Sequence, residues 1–472
     1  MKCQEYINTT VGESSIHGFP YLVKRELHGL EKIFWIVTII AAAYCSINIC
    51  LSQWKRFRDN PIIYATELTW GKPKFPFVGT TLYMNYTDEA AFEDVIEDTW
   101  GVKSENRELY QYYFDFLKII NSLTVTRFAT LKPYENNDNL KNLDFIQILL
   151  QLKRKALPNG NLKEVKKKPN ENSQDSKAES RESDFRVAIT ELGICQTTSQ
   201  TARYTSPYEG AENMPLPNKL ECSAMEECDT KIFNRLGENA SMSIYMHNNF
   251  DIITPGDRDT MSRQAALNGA LGIELMLSIT TAEEEVRNLP IAFRKCRYTN
   301  ENNLKYFQSY SPGLCRTECR INAALEKCGC KPFFYASGPK KNICDIKGML
   351  CLDNAKWPHS AYCNCLPLCE ETHYTILQTL VVTDDSVRFE STTIVKLLLP
   401  RTAFKRRVVF SADQLIVSFG GAIGLFLGAS FISVYGLLFT FSKFVFSNFL
   451  ILFKKCSNNN TYNNKVIKVR EY

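Results

Sequence analysis

Cysteine is the residue type here whose number and spacing most clearly imply chemistry. There are 17 in 472 residues, and thirteen lie between Cys195 and Cys369. Ten form a dense block: Cys296, Cys315, Cys319, Cys328, Cys330, Cys344, Cys351, Cys363, Cys365 and Cys369. Zinc needs four thiolates in close pairs, usually in a reducing compartment. Ten cysteines in one block fit disulfides better, and with them an extracellular or luminal setting. In CRTECRINAALEKCGC, Cys315 and Cys319 stand one helical turn apart on one face. The run CNCLPLC has a mirror-like spacing, which suggests a ladder of rungs between two antiparallel segments. The five histidines, His17, His28, His247, His359 and His373, sit in no Ser-His-Asp, His-x-x-x-His or Gly-x-Ser-x-Gly context. The chain is therefore not expected to be an enzyme, and neither a metal nor a cofactor is implied.

Two apolar runs must carry this block. Gln414 to Phe441 has no charged side chain over 28 residues. As a helix it would reach about 42 Å, more than the roughly 30 Å of a bilayer's apolar core. Tilt, or a break in the helix, would absorb the surplus. Small residues crowd its first half: Gly420, Gly421, Ala422, Gly424, Gly428, Ala429 and Ser430. They suit either close helix packing or irregular backbone along a water-filled path. The other run, Ile33 to Leu51, is apolar on every face, with Trp35 and Trp54 near its ends as interfacial anchors. The N-terminus is polar and has no signal-peptide core, so export is expected to rely on a retained span. Basic residues flank both runs on both sides, which leaves the positive-inside rule a near draw. The disulfide block decides it: the middle is outside and both termini are cytoplasmic. A net charge of +5 is small for this length and argues against a nucleic-acid partner.

The resulting plan has a cytoplasmic segment at 1–32, a first transmembrane helix at 33–52, an ectodomain at 53–412, a second transmembrane helix at 413–442 and a cytoplasmic tail at 443–472. Within the ectodomain, 74–82 reads as a strand, 108–153 holds helical patterns, and 243–253 and 271–279 read as strands. Residues 158–183 are almost devoid of apolar side chains and read as a flexible insert. Asn85 and Asn239 open glycosylation triplets.

These features in this order resemble the degenerin/epithelial sodium channel superfamily, most of all its insect pickpocket branch. The resemblance rests on His17-Gly18 before the first span, Phe75-Pro76 entering the ectodomain, RKCRYTNENNLKYFQSYSPGLCRTEC, KCGCKPFF, CNCLPLCEETHY and FGGAIGLFLGAS. It implies an α+β membrane protein with two transmembrane helices and a large disulfide-rich ectodomain of palm, ball, finger, knuckle and thumb parts. Members assemble as trimers, so a homo- or heterotrimer with related subunits in the lipid bilayer of the plasma membrane is implied. Residues 296–369 become the thumb and its palm link, with pairs Cys296–Cys369, Cys315–Cys365, Cys319–Cys363, Cys328–Cys351 and Cys330–Cys344. The usual partner of Cys195 is missing, with Thr81 at that position. The expectation is Cys222–Cys228 with Cys195 free.

By the same resemblance, Gly428-Ala429-Ser430 is the selectivity filter, His17-Gly18 the gating motif beneath it, Gly424 the blocker position and Val417 the position whose size governs closing. Phe293 matches an aromatic that packs on the first helix, with Trp54 or Phe57 as its contact. The implied function is a stimulus-gated, amiloride-type sodium channel subunit, sensory or epithelial, with Na+ as the permeant ion. Departures are specific. Gly436 and Phe439 stand where acidic residues are common below the filter, and Ser418 where one is common above it. Asp413 at the outer mouth is the one carboxylate left near the span. The subunit either conducts weakly alone or relies on trimer partners for its acids. A non-conducting receptor or modulatory subunit is the rival class.

Overall fold

The computed structural model describes residues 11–446 apart from 13, 15, 25, 69–74, 86–87, 142, 154–184, 208–220, 223–228, 236–239, 257–259, 267, 336–341, 360–361, 385–389, 399–401, 431, 434, 437 and 444. The expected insert at 158–183, the Asn239 triplet, Cys228 and the tail beyond 446 lie outside the described residues. The chain divides into two units. One comprises Met1–Ile63, Asn288–Arg294 and Arg407–Tyr472; the other comprises Tyr64–Arg287 and Lys295–Arg406.

The described strands are, in chain order, β1 (Ile62–Leu68), β2 (Phe75–Pro76), β3 (Val78–Asn85), β4 (Arg186–Thr190), β5 (Gly193–Thr197), β6 (Glu221–Cys222), β7 (Thr230–Arg235), β8 (Ser241–Asn248), β9 (Met261–Gln264), β10 (Gly269–Ala282), β11 (Glu371–Thr383), β12 (Glu390–Leu398) and β13 (Thr402–Val408). Two sheets organise the larger unit. One runs β1-β13-β10-β12-β7, with β11 on the other edge of β10. The second runs β4-β5-β3-β8-β9. Strand β10 shows why: Leu271, Ile273, Leu275 and Leu277 alternate along it and are all buried. They share one core with Leu82, Ile244 and Met246 of the second sheet. The expected strand at 74–82 is two strands in the structure, β2 and β3, with Phe77 between them. The expected strands at 243–253 and 271–279 are present as β8 and β10, with shifted ends.

A helical layer forms a second core. Helices Glu89–Trp100, Arg107–Asn121 and Phe145–Leu152 bury Phe92, Phe116 and Leu149 together with Phe333, Phe334 and Trp357 of the cysteine block. Their amphipathic spacing explains the burial: in Arg107–Asn121 the buried residues are Tyr113, Phe116, Leu117, Ile120 and Asn121. The helix Pro312–Cys328 begins at Ser311, whose hydroxyl accepts from Leu314 N, and stops at Gly329 in the left-handed conformation. Arg320 on this helix donates to the buried Glu191 carboxylate at 2.6 and 2.8 Å, and the Tyr335 hydroxyl donates to the same carboxylate at 2.5 Å. Satisfied in this way, a buried charge can hold the helix Pro312–Cys328 against the turn between β4 and β5.

Five disulfides bond within the cysteine block: Cys296–Cys369, Cys315–Cys365, Cys319–Cys363, Cys328–Cys351 and Cys330–Cys344. They are the pairs the resemblance implies. The two middle rungs run antiparallel, while the backbone beside the outermost makes a parallel bridge, Arg297 to Leu368. The nested spans shrink from 73 to 14 residues. Loop-closure entropy alone then contributes about 4 kcal/mol for the longest and about 3 kcal/mol for the shortest.

Cys195 is buried and forms no disulfide. Burial pushes its thiol up to about 11. Thr81 is not its directly opposite cross-strand neighbour. Strand β3 pairs Thr81 with Thr197 and Leu82 with Gln196, so the next step brings Tyr83 opposite Cys195, and Tyr83 packs on it. Thr81 instead bonds Thr197 Oγ1 at 2.8 Å and His247 Nε2 at 2.7 Å.

His247 is buried, with Nδ1 2.8 Å from Asn248 O. Burial pushes it from 6.5 down to about 4, so the native ring is neutral. The unfolded chain takes up this proton near pH 6.5 and the native chain only near pH 4. Between those values the unfolded state binds more protons, so this contribution is complete above pH 6.5 and is lost as pH falls towards 4. The loss is on the order of 3 kcal/mol. Thermal melting of the purified chain from pH 7 to pH 4 should therefore fall less steeply in His247→Gln than in the parent. Parallel slopes would show that His247 contributes nothing.

Candidate functional site

The smaller unit contains the residues singled out for permeation and gating. Its long helix, Gly29–Asp59, spans 31 residues and rises about 46 Å. Among the described residues it is the one helix long and apolar enough to cross a membrane. It outruns the expected 33–52 because its charged ends, Glu31 and Lys55 to Arg58, stay helical. Only Ser46 and Phe57 are buried on it, while Ile36, Ile40, Ile47 and Leu51 are exposed. Such a surface suits a hydrocarbon medium.

The second apolar helix is Ala412–Leu427, 16 residues long. A reciprocal capping box starts it: Ser411 and Gln414 each bond the other's backbone amide. It ends at Gly428, whose φ of +60° and ψ of 17° are left-handed. Gly428 N–H closes the last turn onto Gly424 O at 3.0 Å. Ala429 and Ser430 are non-helical, and helical backbone resumes at Ile432. The surplus length thus goes into a break at the expected filter triplet.

At about 100° per residue, Asp413, Val417, Gly420, Gly421, Gly424 and Gly428 fall on one face of this helix. Nothing lies within 4 Å of a Cβ placed on Gly420, Gly421 or Gly424, and Val417 is 74% exposed. The opposite face carries the buried Leu415 and Ala422. Between that face and the first helix lies an apolar crevice of about 480 Å³, whose lining includes Ser46, Cys50, Trp54, Phe419 and Ile423. Ser418 is off the open face and half-buried, whereas Gly436 and Phe439 beyond the break are exposed.

The His17-Gly18 turn meets this break. His17 N–H donates to Leu427 O at 2.9 Å, which satisfies a carbonyl the broken helix leaves orphaned. A Cβ on Gly428 would overlap the His17 ring. Gly18 has φ +91°, and a Cβ there would meet Ile39 Cγ1 at 2.8 Å. Both glycines are therefore required by close approach as well as by conformation. The short helix Phe19–Val23 then stacks Tyr21 on Trp35, ring centroids 4.3 Å apart. Within this unit, two of the sequence-derived groups, the His-Gly motif and the filter glycine, are thus brought together; Asp413 and Val417 stand turns away.

At the other end, Phe57 meets Phe293 edge-on at 5.3 Å and Phe410 at 6.5 Å. Arg56 stacks over Phe410 at 5.6 Å, and Leu289 and Leu415 complete the buried cluster. Of the two contacts expected for Phe293, Phe57 makes it. Phe410 and Arg56 escaped sequence reasoning, for neither position has a periodic signal; the Ser-x-x-Gln of Ser411 and Gln414 was readable as a capping box and was missed.

The profile of the amiloride-sensitive sodium channel family matches residues 11–440. The chain belongs to the amiloride-sensitive sodium channel family. That family consists of ion channels, not enzymes. The match contains both the His17-Gly18 turn and the broken helix. The chain is similar to the sodium channel protein Nach of Drosophila virilis, 27% identical over 36% of this chain and 49% of that protein. It is similar to pickpocket protein 11 of Drosophila melanogaster, 29% identical over 33% of this chain and 34% of that protein. These matches thus span half or less of those relatives' length. Acid-sensing ion channel 1A of Danio rerio is 22% identical over 89% of this chain and 84% of that protein.

In this amiloride-sensitive sodium channel family member, the joint around Phe57 can be probed by stability alone. Truncating a buried aromatic costs about 3–5 kcal/mol, and the cost falls when the cavity is refilled. Phe57→Ala should lower the melting temperature of the detergent-purified chain, and Phe57→Leu much less. Equal melting of Phe57→Ala and the parent would rule out a packed joint.

Proposed function

We propose that this chain is a pore-forming subunit of a stimulus-gated, sodium-selective cation channel of the amiloride type, placed in the plasma membrane. The observation that carries the reading is the helix broken at Gly428, with an open glycine face above the break and His17 seated against it. In the proposed trimer three such faces line an axis. Backbone carbonyls near Gly428 and the Ser430 hydroxyl would then replace part of a sodium ion's water shell. The chain crosses the bilayer twice, at 33–52 and 413–442. Residues 1–32 and 443–472 are cytoplasmic, and 53–412 are extracellular and glycosylated at Asn85 and Asn239. Sodium is the permeant ion rather than a cofactor.

Gly424 lies in open space on the same face, which suits a blocker entering from outside. A second reading, a modulatory subunit that works only in heteromers, is favoured by one observation. From Gln414 to Phe441 the sequence has no carboxylate, so related subunits would supply the acid rings.

Cells expressing the chain, alone and with related subunits, should carry a sodium current. Ser430→Trp should abolish it at unchanged surface amount, because a bulky side chain fills the constriction. Sodium current that persists with Trp at 430 would overturn the pore assignment. Val417, exposed on the open face with an intermediate size, should hold the gate partly open. Val417→Gly is expected to lower resting current at least twofold (about 0.4 kcal/mol in the gating equilibrium). Unchanged resting current would remove Val417 from the gate.

A further inference from the structure

Below the break, Ser430 and Ser433 hold one another. Ser430 N–H donates to Ser433 Oγ at 3.2 Å, and Ser433 N–H donates to Ser430 Oγ at 3.2 Å. The two hydroxyl oxygens are 3.0 Å apart, and either can be the donor. This is a reciprocal cap three residues apart, at the point where helical backbone resumes. It places the filter hydroxyl under the control of a residue outside the filter triplet.

The hydroxyl chemistry makes that control consequential. A serine hydroxyl has one proton and two lone pairs. One lone pair of Ser430 is taken by the Ser433 amide. If Ser433 donated its proton to Ser430, the second would be taken as well, and Ser430 would present only a proton to a passing cation. If Ser430 donates to Ser433, its proton points away from the ion and one lone pair is left to bind it. A cation favours the second arrangement electrostatically, but only where Ser433 Oγ is there to accept.

We propose that Ser433 is a specificity-determining positioning residue: its hydroxyl accepts the Ser430 proton and so turns a filter lone pair towards the permeating sodium ion. This rests on the channel reading above. Ser433 then compensates in part for the carboxylates missing at Gly436 and Phe439, since a fixed oxygen dipole does work that a charge does elsewhere.

The test is the sodium-to-potassium permeability ratio from reversal potentials, in cells whose parent channel conducts, with surface amount measured in parallel. Ser433→Ala removes the acceptor and should lower the ratio about three- to tenfold, the worth of one hydrogen bond. Ser433→Thr retains the hydroxyl and should restore it. A Ser433→Ala channel with less current but an unchanged ratio would mean that Ser433 only caps a helix, and would overturn the inference while leaving the channel reading intact. A ratio lowered equally by Thr and Ala would overturn it too. Absence of any parent sodium current, alone or with related subunits, would overturn the channel reading and this inference with it.

Discussion

A helix interrupted among apolar residues must find partners for the backbone groups it exposes, because hydrocarbon offers none. The arrangement around Gly428 meets that requirement, as the proposed second span would need. The last turn of the upper half-helix leaves carbonyls orphaned, and the start of the lower half leaves amides orphaned. Gly428 closes onto Gly424 O, and the N-terminal segment supplies His17 N–H to Leu427 O. Ser430 and Ser433 serve the amides below. The break is thus bonded by local elements on both sides of it. A segment more than 400 positions away in sequence thereby meets the break (17 against 428).

The same constraint explains why small residues are needed where they stand. Left-handed backbone at Gly428 and Gly18 would by itself favour glycine. Contact adds a second demand, since His17 occupies the space of one Cβ and Ile39 that of the other. Gly420, Gly421 and Gly424 are different: they are ordinary helical glycines facing open space. A helix interior disfavours glycine by about 1 kcal/mol relative to alanine. Three glycines on one open face therefore weaken the isolated helix, a cost that a close-packed neighbour or an ion path along that face would offset.

Much of this was legible in the sequence, for reasons that differ by region. The apolar runs, the cysteine block and the alternation in β10 carry strong periodic or compositional signals, and the helical patterns expected within 108–153 appear as the helices Arg107–Asn121 and Phe145–Leu152. Strand β11 was missed because its residues 377–383 are exposed on both faces, so no alternation marks it. The cross-strand neighbour of Cys195 was not legible for another reason. A motif fixes which residues lie in a strand, but its pairing partner depends on register, and a two-residue offset moves Cys195 from Thr81 to Tyr83. The Phe57–Phe293–Phe410 joint joins three stretches of sequence, and nothing local announces a contact of that kind.

The electrostatics of the open face follow from what remains when the acids are gone. From Gln414 to Phe441 the face offers no formal charge, and Asp413 sits at its start. Helix geometry puts Asp413 about 22 Å above Gly428, at 1.5 Å per residue. Over that distance a carboxylate in contact with water is screened beyond two Debye lengths at physiological salt. Its charge therefore contributes little electrostatically at the break. In the channel proposed above, an ion at the break would be held by oriented dipoles: backbone carbonyls near the left-handed turn and the paired hydroxyls of Ser430 and Ser433. Dipoles act over short range and depend steeply on orientation, so their fixing matters more than it would beside a ring of charges. The reciprocal serine cap and the His17 bond supply that fixing, so the small residues bracketing the break would matter more to the proposed channel than their size suggests.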